Sequence, residues 1–312
     1  MARLLLIGNP TASSVTARAR VVIAKALAAD HDVTVASTSR RGHATRLAQG
    51  AAAEGTEVVV SLGGDGTVNE VANGLAGSDT VLGVLPGGST NVFARTIGMV
   101  NDPIEATGEL LSALAAGSIQ RIGLGSVNDR YFLFHVGMGL DAEVVRLVER
   151  RGQLKRWAGH PLFAWCGLRA WSGTYDRSRP RFAVRHPDGT VVDDALFGLC
   201  QNSNPYTYLG NRPLETNPNA SLDRPLSMLS FRDLDLLPTL CYLTSAFLGG
   251  DRLVRDPRVV ERHDLERLTV TGHGPFPYQV DGDHLGDAER LELAWVPDVL
   301  TLAVPAPADP SA

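Results

Sequence analysis

Three apolar runs, each followed by a loop rich in glycine, asparagine or serine and then by a helix-like stretch, make up the first third of the chain. "RLLLIG" (3 to 8) leads into "NPTASS" and an Ala- and Val-rich segment ending near Ala29. "EVVVSL" (57 to 62) leads into "GGDGT" and "VNEVANGLAG", and "TVLGVLP" (80 to 86) into "GGSTN" and "VFARTIG". Unbroken runs of this kind mark strands buried on both faces. Their alternation with helices predicts a parallel α/β sheet, with "HDVTVAS" (31 to 37) as a further strand and "PIEATGELLSALAAG" (103 to 117) as a closing helix. Ligands of such sheets bind beyond the carboxyl ends of the strands. All three polar loops lie at such ends, so they should converge.

After about Gly123 the pattern changes to short alternating runs, among them "RYFLFHVGMG", "RFAVRHPDGTVV", "LSMLSF" and "PYQVDGD". These predict a mostly antiparallel β-sandwich with a helical insertion at about 142 to 172. The expected organisation is an α/β nucleotide-binding domain over 1–124, a β-rich substrate domain over 125–304 whose last residues can pack back on the first, and a disordered tail over 305–312. With 312 residues, a net charge of -5 and three widely spaced cysteines, the chain has neither a basic nucleic-acid footprint nor a zinc or disulfide pattern. It also has no long apolar run that would span a bilayer. A reduced, cytoplasmic setting is expected.

The informative stretch is "SLGGDGTVNE" (61 to 70). One reading is structural: Thr67 caps a helix, Glu70 completes a capping box, and Asp65-Gly66 is a turn. The other is chemical. Glycines at a helix N-terminus let phosphate oxygens reach backbone N–H groups. A carboxylate beside those phosphates costs about 4 kcal/mol at ~4 Å and an effective dielectric of ~20. A divalent cation, or a proton taken from a substrate hydroxyl, reverses that. Asp65 then suits phosphoryl transfer, as a Mg²⁺ holder or a general base. The chain has no GxxxxGK[ST] sequence, so it is not a P-loop enzyme.

"GGDGTVNEVANGL" resembles the signature of the diacylglycerol kinase catalytic-domain family, which includes sphingosine and ceramide kinases and bacterial YegS-like lipid kinases. Other segments match in order: Asn9-Pro10 with Ser13-Ser14, "TSRRGHATRLA" (38 to 48), "LPGGSTNVFARTIG" (85 to 98), "GMGLDAEVV" (137 to 145) and "VDGD" (280 to 283). "GGDGT" alone also occurs in NAD kinases and phosphofructokinases, whose fold the first domain should share. The resemblance implies an ATP- and Mg²⁺-dependent lipid kinase. ATP would contact Asn9, Thr38, Gly63, Gly64, Gly66, Thr67, Glu70, Gly88, Ser89 and Asn91. The lipid hydroxyl would meet the γ-phosphate in a cleft where Asp281 faces Asp65, with Asp281 as proton acceptor and Asp65 as the Mg²⁺-linked group. Asp281-Gly282 is equally a hairpin-turn signal. An NAD kinase-like phosphotransferase and a non-catalytic nucleotide or lipid sensor are the rival readings.

The chain departs from the family pattern in places. Ser89 replaces a threonine, and Val92 an aspartate at what could be a helix surface. Asp283 replaces a glutamate. In "NASLDRPLSMLSF" (219 to 231) only Asp223 remains of an acidic segment that holds a structural Mg²⁺ in bacterial relatives. That site is expected to be degraded, with Arg224 standing in for the cation by pairing with Asp223.

Residues 146–185 hold ten Arg or Lys against Glu149 and Asp176, a local charge of +8, and three of the four tryptophans. A helix that buries its aromatics behind a solvated basic face would look like this. So would a segment docking on anionic lipid, which fits reversible attachment to the inner face of the membrane. No nucleic-acid partner is expected. A homodimer is compatible with the sequence, which carries no mark of oligomeric state.

Overall fold

The computed structural model describes all residues except 11, 13, 152–158, 250 and 306–312. The expected tail therefore falls almost wholly outside the described residues. The chain forms two compact units, Met1–Gly123 with Asp298–Ala312, and Leu124–Pro297. The residues from Asp298 on thus belong with the first unit.

In the first unit, β1 (Arg3–Gly8), α1 (Ala17–Asp30), β2 (Asp32–Ser37), α2 (His43–Ala53), β3 (Val58–Gly63), α3 (Asp65–Leu75), β4 (Val81–Pro86), α4 (Val92–Thr96) and α5 (Pro103–Ala116) follow in order. β2, β1, β3 and β4 lie side by side and parallel. Every residue of β3 is buried, as a strand covered on both faces requires, whereas β2 at the edge is largely exposed. α5 begins where Asp102 accepts the N–H groups of Ile104 and Glu105, with Pro103 in the first turn, and ends at Gly117 with φ 65°. It packs close to the sheet: a Cβ on Gly83 would lie 2.9 Å from Leu110.

β5 (Ile119–Val127) leads into the second unit. There β6 (Arg130–Phe132), β7 (His135–Gly139), α6 (Leu140–Glu149), α7 (Gly159–Arg169) and a π-turn over Ala170–Thr174 are followed by β8 (Phe182–Arg185), β9 (Val191–Ala195), β10 (Phe197–Gln201), β11 (Thr207–Leu209), β12 (Arg212–Leu214), β13 (Leu226–Phe231), α8 (Leu236–Phe247), α9 (Asp251–Val254), β14 (Val259–Leu265), β15 (Arg267–Val280) and β16 (Asp283–Ala303). Strand pairing is antiparallel throughout this unit. β15 serves two groups of strands. Thr269–Gly272 pair with β8, while Tyr278–Val280 pair with β7, and the register breaks between Thr271 and Phe276. Phe132, Met138, Phe182, Met228, Phe276 and Leu291 fill the core. The end of β16 runs parallel to β4, Thr301 opposite Val81 and Leu302 opposite Leu82.

Candidate active site

In the first unit the three loops do converge. Ser14 N–H donates to Gly87 O at 3.1 Å and its hydroxyl to Gly88 O at 2.6 Å; Gly87 N–H donates to Gly63 O at 2.8 Å and Asn9 N–H to Leu62 O at 3.1 Å. The paired glycines are a packing requirement. A Cβ on Gly87 would stand 2.9 Å from Gly63 Cα, and one on Gly88 would stand 2.7 Å from Gly64 Cα. Asn91, with φ 52°, fastens this contact by accepting Gly88 N–H at 2.7 Å and donating to Gly88 O at 2.9 Å. Asp65 Oδ1 accepts Phe93 N–H at 3.0 Å, which ties the start of α4 to the start of α3.

The expected capping box does not form. α3 begins at Asp65, behind Gly64, which has no side chain to cap it. Thr67 is therefore inside the first turn, where its hydroxyl oxygen accepts from Asn9 Nδ2 at 3.4 Å. Glu70 caps a different helix: its oxygens accept Gly42 N–H at 2.8 Å and Ala44 N–H at 3.0 Å. α2 needs this help because its N-cap, Gly42, sits at φ 76° with no side-chain bond. Val92 is buried rather than on a helix surface. Gly66 and Ser89 are exposed, and Asn9, Thr38, Gly64, Asp65 and Gly88 are half-buried. The exposed feature that remains is the N-terminus of α3, with its partial positive charge and no side-chain cap.

In the second unit, Asp281 and Gly282 form the two-residue turn between β15 and β16, with φ 49° and 81° and Val280 paired to Asp283. Two positive φ values mark a type I′ hairpin. The carboxylate of Asp281 also points inward. Its Oδ2 accepts Leu133 N–H at 2.7 Å, and its Oδ1 accepts those of Phe134 and His135 at 3.0 Å each. Charge-assisted bonds from three backbone groups fix its orientation. Beside it, Asp283 pairs with Arg130 at 3.2 Å.

The turn is held from behind by the "GMGLDAEVV" stretch through Gln279 and Tyr206, two residues that no sequence argument singled out. Gln279 accepts Gly282 N–H at 2.7 Å and donates to Asp141 Oδ2 at 2.6 Å, and Asp141 Oδ1 accepts the Tyr206 hydroxyl. Burial raises the Asp141 pKa, against the bonds from Tyr206 and Gln279. Gly137 is obligatory here, because a Cβ would overlap Asp141 at 1.6 Å from Oδ2. The His135 ring lies tilted against Tyr206 with centroids 4.5 Å apart, and burial lowers its pKa to about 3.

A protein of Chromohalobacter salexigens described as a YegS-like lipid kinase is 33% identical over 292 residues, covering 92% of this chain and 88% of that one. Residues 3–127 match the diacylglycerol kinase catalytic domain. The chain belongs to the diacylglycerol kinase catalytic-domain family. The crystal structure of a diacylglycerol kinase from Bacillus anthracis superposes with a TM-score of 0.71 at 19% identity, covering 99% of this chain and 98% of that one. An NAD kinase from Archaeoglobus fulgidus, solved in complex with ATP, gives 0.52 at 11% identity, covering 97% and 94%. The expected fold class is therefore found, a parallel α/β part joined to an antiparallel part.

The segment around Asp223 departs from the expected pairing. Arg224 does not pair with Asp223. Its guanidinium forks onto Asp264 at 3.0 and 2.7 Å, while Asp223 accepts from the Ser221 hydroxyl. A hard cation needs several oxygen ligands, and residues with an arginine fixed among them do not fit one. Among the described residues no three His, Cys, Asp or Glu come together as a metal site.

The basic, tryptophan-rich segment is only partly among the described residues. Lys155, Arg156 and Trp157 lie outside the described residues. Trp171 donates to Leu234 O at 2.8 Å beneath Arg177, whose Cζ is 4.1 Å from the ring centroid. Trp165 is 48% exposed and stacks with Arg151 at 4.5 Å. No helix among the described residues is long and apolar enough to cross a membrane.

Proposed function

We propose that this family member is an ATP-dependent lipid kinase that transfers the γ-phosphate to a hydroxyl of a diacylglycerol-like lipid, giving a phosphatidic-acid-type product. The observation that carries the reading is the uncapped N-terminus of α3 beside the packed Gly63-Gly64 and Gly87-Gly88 pairs. Backbone N–H groups there suit the phosphates of a nucleotide, with Gly66 and Ser89 facing solvent and Asn9 and Thr38 at the rim. Thr67, Glu70 and Asn91 serve this loop by holding its neighbours in place.

Asp65 is the residue that would hold Mg²⁺. This ion commonly takes one or two carboxylates and completes its shell with phosphate oxygens and water, which suits a single acid in a glycine loop. When bound, it neutralises charge on the transferring phosphate. Asp281 accepts the hydroxyl proton as the new P–O bond forms and the bond to the ADP oxygen breaks. Its three backbone donors fix the orientation of the carboxylate. The protein would work in the cytoplasm, reversibly attached to the inner face of the membrane, where residues 146–185 complement anionic lipid.

The test is labelled-phosphate transfer from ATP to a panel of diacylglycerol, sphingoid base, ceramide and glycolipid, with Asp65→Asn as control. Transfer to diacylglycerol that the substitution abolishes is the expected result. Transfer to another lipid would replace the substrate, and ATP binding without any transfer would favour a sensor.

A further inference from the structure

We infer that α8, which lies outside the basic segment, is a membrane-docking helix whose apolar face enters the surface of an anionic bilayer. From Leu236 to Gly250 the chain contains no charged residue. Pro238, Tyr242, Ser245 and Ala246 face the protein. Leu236, Leu237, Leu240, Leu243, Phe247 and Leu248 are each at least 42% exposed, and Leu237 reaches 74%. At 100° per residue the first five share one side of the helix along its length, and Leu248 follows at its C-terminal end. Large apolar side chains gathered on one exposed face mark an interaction site rather than ordinary surface.

What covers this face follows from its neighbour. Trp171 Nε1 and Arg177 Nη1 both donate to Leu234 O at 2.8 Å, two residues ahead of α8. The apolar helix is therefore continuous with the segment of charge +8. There Phe163, Trp165 and Leu168 are also exposed, as are Arg150, Arg169 and Arg179. An uncharged helix face beside cations and half-exposed tryptophan complements the boundary between acyl chains and anionic headgroups. A second copy of the chain would instead place like charges together. The inference rests on the lipid-kinase reading for its biological sense, since the acceptor lipid resides in a bilayer, but its test is separable.

The experiment uses the full chain with vesicles of phosphatidylcholine, alone or mixed equally with phosphatidylglycerol. Leu237→Trp should show a blue-shifted emission on the mixed vesicles and little shift on the neutral ones. The double variant Leu237→Ser with Leu240→Ser, altered only at exposed positions, should lose about tenfold or more in affinity for the mixed vesicles. It should keep phosphate transfer to a water-soluble short-chain acceptor while losing it on a vesicle-borne one. Vesicle binding without a shift at position 237, or with undiminished affinity in the double variant, would overturn the inference. So would a dimer in sedimentation that the double variant dissolves, because a second copy would then cover the face. If the wild-type chain phosphorylates neither acceptor yet inserts position 237 into the vesicles, the kinase reading fails and the docking helix stands.

Discussion

Gln279 and Asp141 are joined by a buried hydrogen bond of 2.6 Å, and the other end of the Gln279 amide holds the Gly282 N–H at 2.7 Å. The glycine-rich motif at 137–145 is thus connected, through one side chain, to the turn that carries Asp281. Gln279→Leu keeps approximate volume and strands both Asp141 Oδ2 and the Gly282 N–H. It should cost about 2–6 kcal/mol, the sum of two unsatisfied polar groups, seen as a lower urea midpoint with an unchanged slope.

The two acidic residues of the proposed chemistry should separate by stability. Asp65 is half-buried and accepts the Phe93 N–H. Asn can still accept it, so Asp65→Asn should leave the unfolding free energy within about 0.5 kcal/mol. Asp281→Asn points an amide NH₂ at backbone donors from 133–135. That variant should lose about 1–3 kcal/mol. Chemical denaturation of both variants, read beside transfer activity, distinguishes lost chemistry from a lost turn.

Glycine substitutions in the loops should differ sharply over a few residues. Gly88→Ala drives a methyl to within 2.7 Å of Gly64 Cα, whereas nothing lies within 4 Å of a Cβ on Gly66. The first should destabilise by about 1–3 kcal/mol as backbone is pushed from backbone. The second should leave the melting temperature nearly unchanged. Equal melting temperatures for the two would contradict the close approach of the loops.

His135 makes the fold sensitive to acid. Its pKa falls from 6.5 to about 3 on burial. Between those values the unfolded chain binds the proton and the folded chain does not. The stability this provides is complete above about pH 6.5 and is lost progressively toward about pH 3. Between about pH 7 and pH 5 the loss should be on the order of 2 kcal/mol. His135→Phe should remove that part of the slope in urea titrations at the two pH values.

The parallel part was legible because buried strands must be apolar along their whole length, and the loops at their ends carried small and polar residues. The antiparallel strands were legible from alternation. The misread features all depend on partners distant in sequence. Glu70 looked like half of a capping box, but its partners are 26 and 28 residues away, on α2. Arg224 was matched to its neighbour Asp223, whereas the pairing of Leu226 with Leu265 brings Asp264 alongside. Asp281 was recognised as a turn and a candidate base. Its three donors are backbone groups nearly 150 residues earlier, and a backbone N–H leaves no trace in residue type. Tyr206 and Gln279 lie in no motif and could not be found without the fold.

β16 has a consequence for how the molecule is made. It begins at Asp283 in the second unit, and its last residues pair with β4 in the first. A ribosome has therefore produced the entire second unit before the nucleotide unit can receive its final strand. Domains generally fold as units in order of synthesis, but here the earlier one must wait, with the β4 edge unpaired, for residues made only after the whole second unit. An exposed edge of that kind invites pairing with other chains, so the nascent protein passes through a stage at which a chaperone would have a defined target.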